Sequence, residues 1–257
     1  MPAKEVEAAR GAARTPPGFD VGSRGASFPD RCDAWSGHEP MKVVVVASGE
    51  LDASDVTWLD EADLVIAADG GAASLDRVGR APDVLVGDLD SIDPRLVARL
   101  AAVGTSVERH PVDKEASDTE LALEMAIGAG GVAVVVLGAM GGGRLDHELA
   151  NLLLLADASL AGRDVRTVRG GTRVRAVHAG ERLDLDGSTG ELVTLLPVGG
   201  DVVGVTTEGL RWPLDGATLS MGRSRGLSNE VVAAPASVRI THGALLVVET
   251  ASGGGIS

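Results

Sequence analysis

Residues 84–92 read VLVGDLDSI. The apolar run Val84–Leu85–Val86 has the character of a buried strand. It stops at Gly87 and meets two aspartates two positions apart, Asp88 and Asp90. Carboxylates are rarely buried unless paired or bound to a cation. A core strand that runs straight into two of them fits the carboxyl edge of an open parallel sheet, where ligands bind.

The same grammar repeats on either side. Strand patterns over 42–47, 64–68, 83–87, 105–109, 132–138 and 164–169 alternate with helical patterns near 53–61, 71–79, 93–103, 117–128 and 145–161. This alternation predicts a parallel α/β sheet. Ser117–Asp118–Thr119–Glu120 has the spacing of a capping box, which marks a helix start. After about residue 172 helical periodicity disappears. Short alternating stretches such as RVRAVH, ELVTLLPV, VVGVTTEG, ASVRITH and ALLVVET are separated by Gly, Asp and Pro. They predict an antiparallel sandwich or barrel. The expected fold class is therefore α/β plus all-β: a parallel-sheet α/β domain over 41–172, then a C-terminal antiparallel β-sandwich over 173–251. Residues 1–40 lack periodicity and read as a disordered extension, and 252–257 as a flexible tail. Met41 directly precedes the first strand and is a candidate true start, which the intact mass of the native protein tests.

Composition narrows the function. The chain has 257 residues, 44% of them hydrophobic, and a formal net charge of −14. So acidic a chain is a poor partner for nucleic acid or an anionic membrane. Its apolar stretches are too short or interrupted to span a bilayer, and the N-terminus lacks the order of a signal peptide. The single cysteine, Cys32, cannot form a disulfide within the chain, and a reducing compartment, the cytoplasm, is the simple reading. Aromatic residues are scarce, and beyond Met41 only Trp58 and Trp212 occur.

Polar groups gather at the predicted strand ends. Asp69 follows the second strand, Asp88 and Asp90 the third, Asp113, Lys114, Glu115 and Asp118 the fourth, and Arg144, Asp146 and His147 the fifth. Residues two apart in extended chain point to one side, roughly 7 Å apart. Asp88 and Asp90 could thus reach one hard cation such as Mg²⁺, or could cap the turn. Asp69 alone reads equally as a turn residue, and Asp118 as a favourable charge at a helix start. Four acids on one edge are costly to gather without a cation. The segment GAMGGGRLDH, residues 138–147, runs from strand into helix. Its glycines and helix N-terminus suit phosphate, with Arg144 as a fixed cation, though it is neither a Walker A loop nor a dinucleotide fingerprint. No nucleophilic elbow or zinc-type histidine spacing is present.

ADGGA, VGDLDSI, DKEASDTELAL, GGRLDHELANL, EGLRWPL and GLSNE occur in an order and approximate spacing that resemble the thiamine pyrophosphokinase family. The resemblance covers nearly everything from Met41 to Thr250. It implies transfer of pyrophosphate from ATP to the hydroxyl of thiamine, giving thiamine diphosphate and AMP, with Mg²⁺ required. It also implies an α/β catalytic domain followed by a β-sandwich, in a homodimer whose sites form between subunits. Position by position it implies metal and catalytic roles for Asp69, Asp88, Asp90 and Asp118, with Arg144 also catalytic. Nucleotide binding is implied for Lys114, Gly142, Gly143, Arg144, Asp146 and His147, and thiamine binding for Trp212, Ser228 and Asn229. Two departures stand out: the glycine loop is one glycine longer than the family's usual pattern, and Glu115 and Ser117 replace the more frequent Asp and Thr. Two other readings remain open: a pyrophosphokinase for another alcohol, such as a hydroxymethylpterin, and a non-catalytic nucleotide-binding protein on the same scaffold.

Overall fold

The structure, a computed structural model, describes residues 41–111, 113 and 115–251. The expectations for residues 1–40 and 252–257, and for Lys114, lie outside the described residues.

Six strands come first: β1 (Met41–Val46), β2 (Leu64–Ala68), β3 (Val84–Gly87), β4 (Ser106–Arg109), β5 (Gly131–Leu137) and β6 (Asp164–Arg169). They pair in parallel in the order β4-β3-β2-β1-β5-β6. The apolar runs of β1, β2, β3 and β5 are near-continuous because both faces are covered. Val43, Val45, Ile66 and Val86 face one core, which α4 (Asp118–Gly128) closes with Ala122, Leu123 and Ala126. Val44, Val46, Ala67 and Leu85 face the other, closed by α2 (Gly71–Arg77) through Leu75 and α3 (Pro94–Ala102) through Leu96 and Leu100.

Helix boundaries follow local chemistry. The capping box at α4 forms as predicted: Ser117 Oγ accepts the Glu120 N–H at 3.1 Å, and Glu120 Oε2 accepts the Ser117 N–H at 3.4 Å. Before α3, Asp93 caps the Arg95 N–H at 2.8 Å and Pro94 opens the helix. Two helices are shorter than their patterns suggested. The 53–61 pattern becomes a 3₁₀ turn over Ala53–Asp55 followed by α1 (Val56–Asp60). The 145–161 pattern gives α5 (Leu145–Leu154) and then a 3₁₀ turn over Ala158–Leu160. There Asp157 takes the Ser159 N–H at 2.7 Å, offering the backbone a local alternative to helix.

The remaining strands are β7 (Thr172–His178), β8 (Arg182–Asp184), β9 (Leu192–Glu208), β10 (Ala217–Leu219), β11 (Asn229–Glu230), β12 (Ser237–Arg239) and β13 (His242–Thr250). All pair antiparallel around a core that includes Val177, Leu195, Val205, Val238, Ile240 and Leu245. The stretches ELVTLLPV and VVGVTTEG, which read as two strands, are one strand, β9. Gly199 and Gly200 bend it at φ 74° and 156°. Its first part pairs β13 and β11, and its second pairs β12 and β10.

The change of texture near 170 coincides with the β6–β7 hairpin, where the sheet turns from parallel to antiparallel without a break. Beside it lies a buried ion pair that the sequence pattern did not reveal. Arg175 Nη2 donates to Glu249 Oε2 at 2.6 Å, and the Gly187 N–H donates to Oε1 at 2.9 Å. Glu249 is fully buried. Removing one member of such a pair leaves the other charge stranded, at a cost of about 3–5 kcal/mol. Arg175 retains Asp186 at 3.5 Å. Glu249→Ala is therefore expected to lower the unfolding free energy in urea by about 3 kcal/mol, the low end of that range; a loss under about 1 kcal/mol would show that the pair is dispensable.

Candidate active site at the sheet edge

The four acids converge. Asp69, just past β2, takes φ 43° and donates its N–H to the Val86 carbonyl at 2.8 Å, which swings it over the end of β3. Gly87 forms the floor beneath: a Cβ there would lie 3.1 Å from Asp118 Oδ1 and 3.2 Å from the Asp69 Cβ. Leu89, at φ 61°, is buried and turns the chain between Asp88 and Asp90. Asp88 Oδ1 accepts the Asp90 N–H at 3.2 Å, so Asp88 does cap the turn with one oxygen. The Asp90 carboxyl is pushed up, first by the charge of Asp88 and its hydrogen bond, then by burial, and finally by Asp69 and Asp118. All four carboxylates thus share one field.

Ser91 was not singled out from sequence. Its hydroxyl donates to Asp69 Oδ2 at 2.5 Å. Asp69 Oδ1 is buried and has no protein partner. An orphaned carboxylate oxygen among mutually repelling acids fits a hard cation. Among the described residues, however, no group of three or more Asp, Glu, His or Cys side chains is placed to hold a metal ion. An open, carboxylate-poor arrangement is what Mg²⁺ uses when phosphate and water supply its other ligands.

The glycine segment lies on the same edge. Gly138, Gly141, Gly142 and Gly143 take φ 64°, 69°, 156° and 78°. The loop after β1 is laced to it: the Gly49 N–H donates to Gly138 O at 2.8 Å and the Glu50 N–H to Gly141 O at 3.0 Å. The contact is close enough that a Cβ on Gly49 would sit 2.3 Å from Gly138 O. Arg144, directly before α5, grips Asp146 with Nε–Oδ1 at 2.9 Å and Nη2–Oδ2 at 2.6 Å. That grip holds Asp146 well below the usual carboxylate range, although both side chains are exposed. His147 is exposed in the first turn of α5. Asn151, also unread in the sequence, donates Nδ2 to Ala139 O at 3.2 Å and ties helix to loop. Arg169 at the end of β6 joins this group by pairing with Glu50 at 3.2 Å.

Trp212, Ser228 and Asn229 form a separate cluster. Asn229 accepts the Trp212 N–H at 3.1 Å and donates to the Trp212 carbonyl at 2.8 Å. Its Oδ1 also accepts the Glu230 N–H at 2.9 Å. Asn229 is buried and fixes the Trp212 backbone, while Trp212 itself is 58% exposed. The Arg211 guanidinium lies 5.8 Å from the ring centroid and pairs with Glu230 at 2.9 Å. Ser228, at φ 55°, is exposed and donates its N–H to Thr194 Oγ1 at 3.0 Å.

Register puts both clusters on one edge. Arg169 pairs Thr172, Thr172 pairs Thr250, Thr250 pairs Leu192 and Leu192 pairs Glu230. Several strands lie between them along that edge. The order β2-β1-β5-β6-β7-β13-β9 makes six intervals between β2 and β9, about 30 Å at the usual strand spacing.

Residues 56–166 match the family model "Thiamin pyrophosphokinase, catalytic domain", and residues 181–245 match "Thiamin pyrophosphokinase, vitamin B1 binding domain". Thiamine pyrophosphokinase of Bacillus subtilis (strain 168) is 25% identical over 213 residues, covering 82% of this chain and 99% of that protein. Thiamine pyrophosphokinase 3 of Oryza sativa subsp. japonica is 27% identical over 220 residues, covering 73% and 78%. The crystal structure of the Bacillus subtilis protein shares the fold with a TM-score of 0.73 at 24% identity, covering 82% of this chain and 99% of that one. That of thiamin pyrophosphokinase from Candida albicans does so with a TM-score of 0.69 at 16% identity, covering 83% and 90%.

The raised Asp90 carboxyl has a testable consequence. A carboxyl that holds its proton more tightly folded than unfolded stabilises the fold at low pH, and that contribution is lost as pH rises through its folded value. Asp88→Asn and Asp90→Asn each remove repulsion at neutral pH. In metal-free buffer neither is expected to lower the melting midpoint, while with Mg²⁺ supplied each is expected to cut turnover sharply. A collapse of the midpoint in either variant would make the pair structural.

Proposed function

Because the chain belongs to the thiamine pyrophosphokinase family, we propose that it transfers pyrophosphate from ATP to the hydroxyl of thiamine, giving thiamine diphosphate and AMP. The observation that carries the reading is the set of four carboxylates, with Asp69 Oδ1 left unpartnered, beside a glycine loop on one sheet edge. The thiamine hydroxyl must attack the β-phosphorus in line with departing AMP, so catalysis rests on positioning and on neutralising phosphate charge.

Asp69, Asp88, Asp90 and Asp118 would hold Mg²⁺, one or two of them directly and the others through water, and the ion when bound would neutralise phosphate charge. Gly142 and Gly143 present backbone N–H groups at the start of α5. Arg144 offers the charge of a guanidinium already oriented by Asp146. Lys114 and His147 are further nucleotide contacts in this reading. Asp118 or Asp69 takes the hydroxyl proton. Trp212 stacks on the flat, cationic vitamin with the ring face opposite Arg211, an attraction worth roughly 0.5–2 kcal/mol. Ser228 lies beside it, and Asn229 serves by holding Trp212.

The enzyme acts as a homodimer. Six strand intervals, about 30 Å of sheet path, separate β2 from β9, and in this reading a second copy brings one chain's acids to the other's Trp212. The helix beside the glycine loop suits such a contact. Leu145, Leu149 and Leu153 on α5 are 68%, 53% and 52% exposed and four residues apart, a single apolar stripe. No helix among the described residues is long and apolar enough to cross a membrane. We place the enzyme in the cytoplasm on its single cysteine.

Supplying ATP, Mg²⁺ and alternative alcohols tests the reading. AMP formed with thiamine supports it. AMP formed only with a hydroxymethylpterin, or none at all, overturns it. In the active enzyme Trp212→Ala is expected to raise the KM for thiamine about tenfold, which corresponds to about 1.4 kcal/mol and lies within the stacking range, with the melting midpoint kept. An unchanged KM would remove Trp212 from the site.

A further inference from the structure

Arg169 belongs to none of the motifs in the sequence, yet the glycine loop is built around it. A Cβ on Gly141 would lie 1.7 Å from Arg169 Nη1 and 2.1 Å from its Cζ. The guanidinium therefore lies against the bare backbone of Gly141, where its φ of 69° also favours glycine. Arg169 Nη2 pairs with Glu50 Oε2 at 3.2 Å, and the Glu50 N–H returns to the Gly141 carbonyl at 3.0 Å. The neighbouring Gly170 N–H donates to Asp55 Oδ1 at 2.8 Å, while Asp55 Oδ2 accepts the Asp52 N–H at 2.9 Å. Asp55 is 1% exposed. The loops after β1, β5 and β6 thus close into a ring, and Arg169 is the side chain that reaches the glycines.

The Arg169–Glu50 pair is itself half exposed, and such pairs contribute under about 1 kcal/mol. Its value to the fold is small, so the contact with Gly141 is the informative one. Successive glycines at 141–143 lose more freedom on ordering than any other residues. A planar group seated on the first of them selects one path for the other two.

We propose that Arg169 is a positioning residue for the nucleotide: by seating on Gly141 it sets the direction in which the Gly142 and Gly143 N–H groups meet the polyphosphate. The proposal rests on reading this loop as the ATP site. It accounts for the additional glycine in the loop as the gap into which Arg169 fits.

The test compares Arg169→Ala, Arg169→Lys, Gly141→Ala and the Arg169→Ala/Gly141→Ala pair. Arg169→Ala is expected to raise the KM for ATP about tenfold, equivalent to about 1.4 kcal/mol, leaving the KM for thiamine and the melting midpoint near those of the parent. Arg169→Lys keeps the charge but cannot lie flat on a peptide, and is expected to resemble Arg169→Ala. Gly141→Ala strains a positive φ in any background, but adds less in the double variant because the clash is gone. An unchanged KM for ATP in Arg169→Ala overturns the proposal. So does full rescue by lysine, which would make charge the operative property, or strict additivity of the pair. If Arg169→Ala does not fold, Arg169→Lys and Gly141→Ala decide it on the same KM split. Failure of the function itself would look different: the unaltered protein would form no AMP with thiamine, and titration of the same variants with a non-hydrolysable ATP analogue would still report on the loop.

Discussion

The β6–β7 hairpin is the join on which the layout depends. Backbone pairing from Arg166–Arg175 to Arg169–Thr172 carries the sheet from its parallel to its antiparallel half. Because the ladder does not break, both functional clusters lie on one edge, and their spacing is set by strand count. The turn is anchored from outside by the buried Asp55, which takes the Gly170 N–H, and from inside by the Arg175–Glu249 pair. A buried carboxylate left half satisfied would be expensive. The hairpin therefore has little freedom, and Arg169 inherits that rigidity.

The acidic edge works in the opposite sense. Among the described residues no cation pairs with Asp88 or Asp90, and the charge of Asp88 raises the cost of ionising Asp90. The backbone still holds them there: Asp69 and Leu89 adopt positive φ, and Gly87 admits Asp118 at close range. Non-glycine residues in that region of φ cost free energy that the surrounding structure must supply. Strain and like charge concentrated at one place fit a site whose last component is a cation with its phosphates.

The aromatic cluster shows a third strategy. Asn229 spends its hydrogen-bonding capacity on the backbone of Trp212 and Glu230. A single exposed tryptophan on a short strand connection would sample several poses. Clamped at both its N–H and its carbonyl, the backbone that carries the ring is held in one position.

Much of this was legible in the sequence, because hydrophobic period and capping chemistry are local. The parallel strands fell where their apolar runs predicted, and Ser117 and Glu120 capped the helix that their spacing announced. The acids, the glycines and Arg144 stood out because ligand edges of parallel sheets are built from strand ends, which sequence order reveals. Where competition between local and distant partners mattered, pattern failed: α5 stopped early at a side chain that caps a new turn, and β9 ran through two glycines that looked like a break. Ser91, Asn151, Asp55 and Arg169 carried no motif at all. Their roles come from partners 22, 12, 115 and 119 residues away. The sequence by itself determined which residue types reach the sheet edge. Only the tertiary structure decided which of them touch, since a guanidinium resting on a glycine, or a carboxylate oxygen left without a partner, is a property of packing between distant segments and leaves no period in the chain.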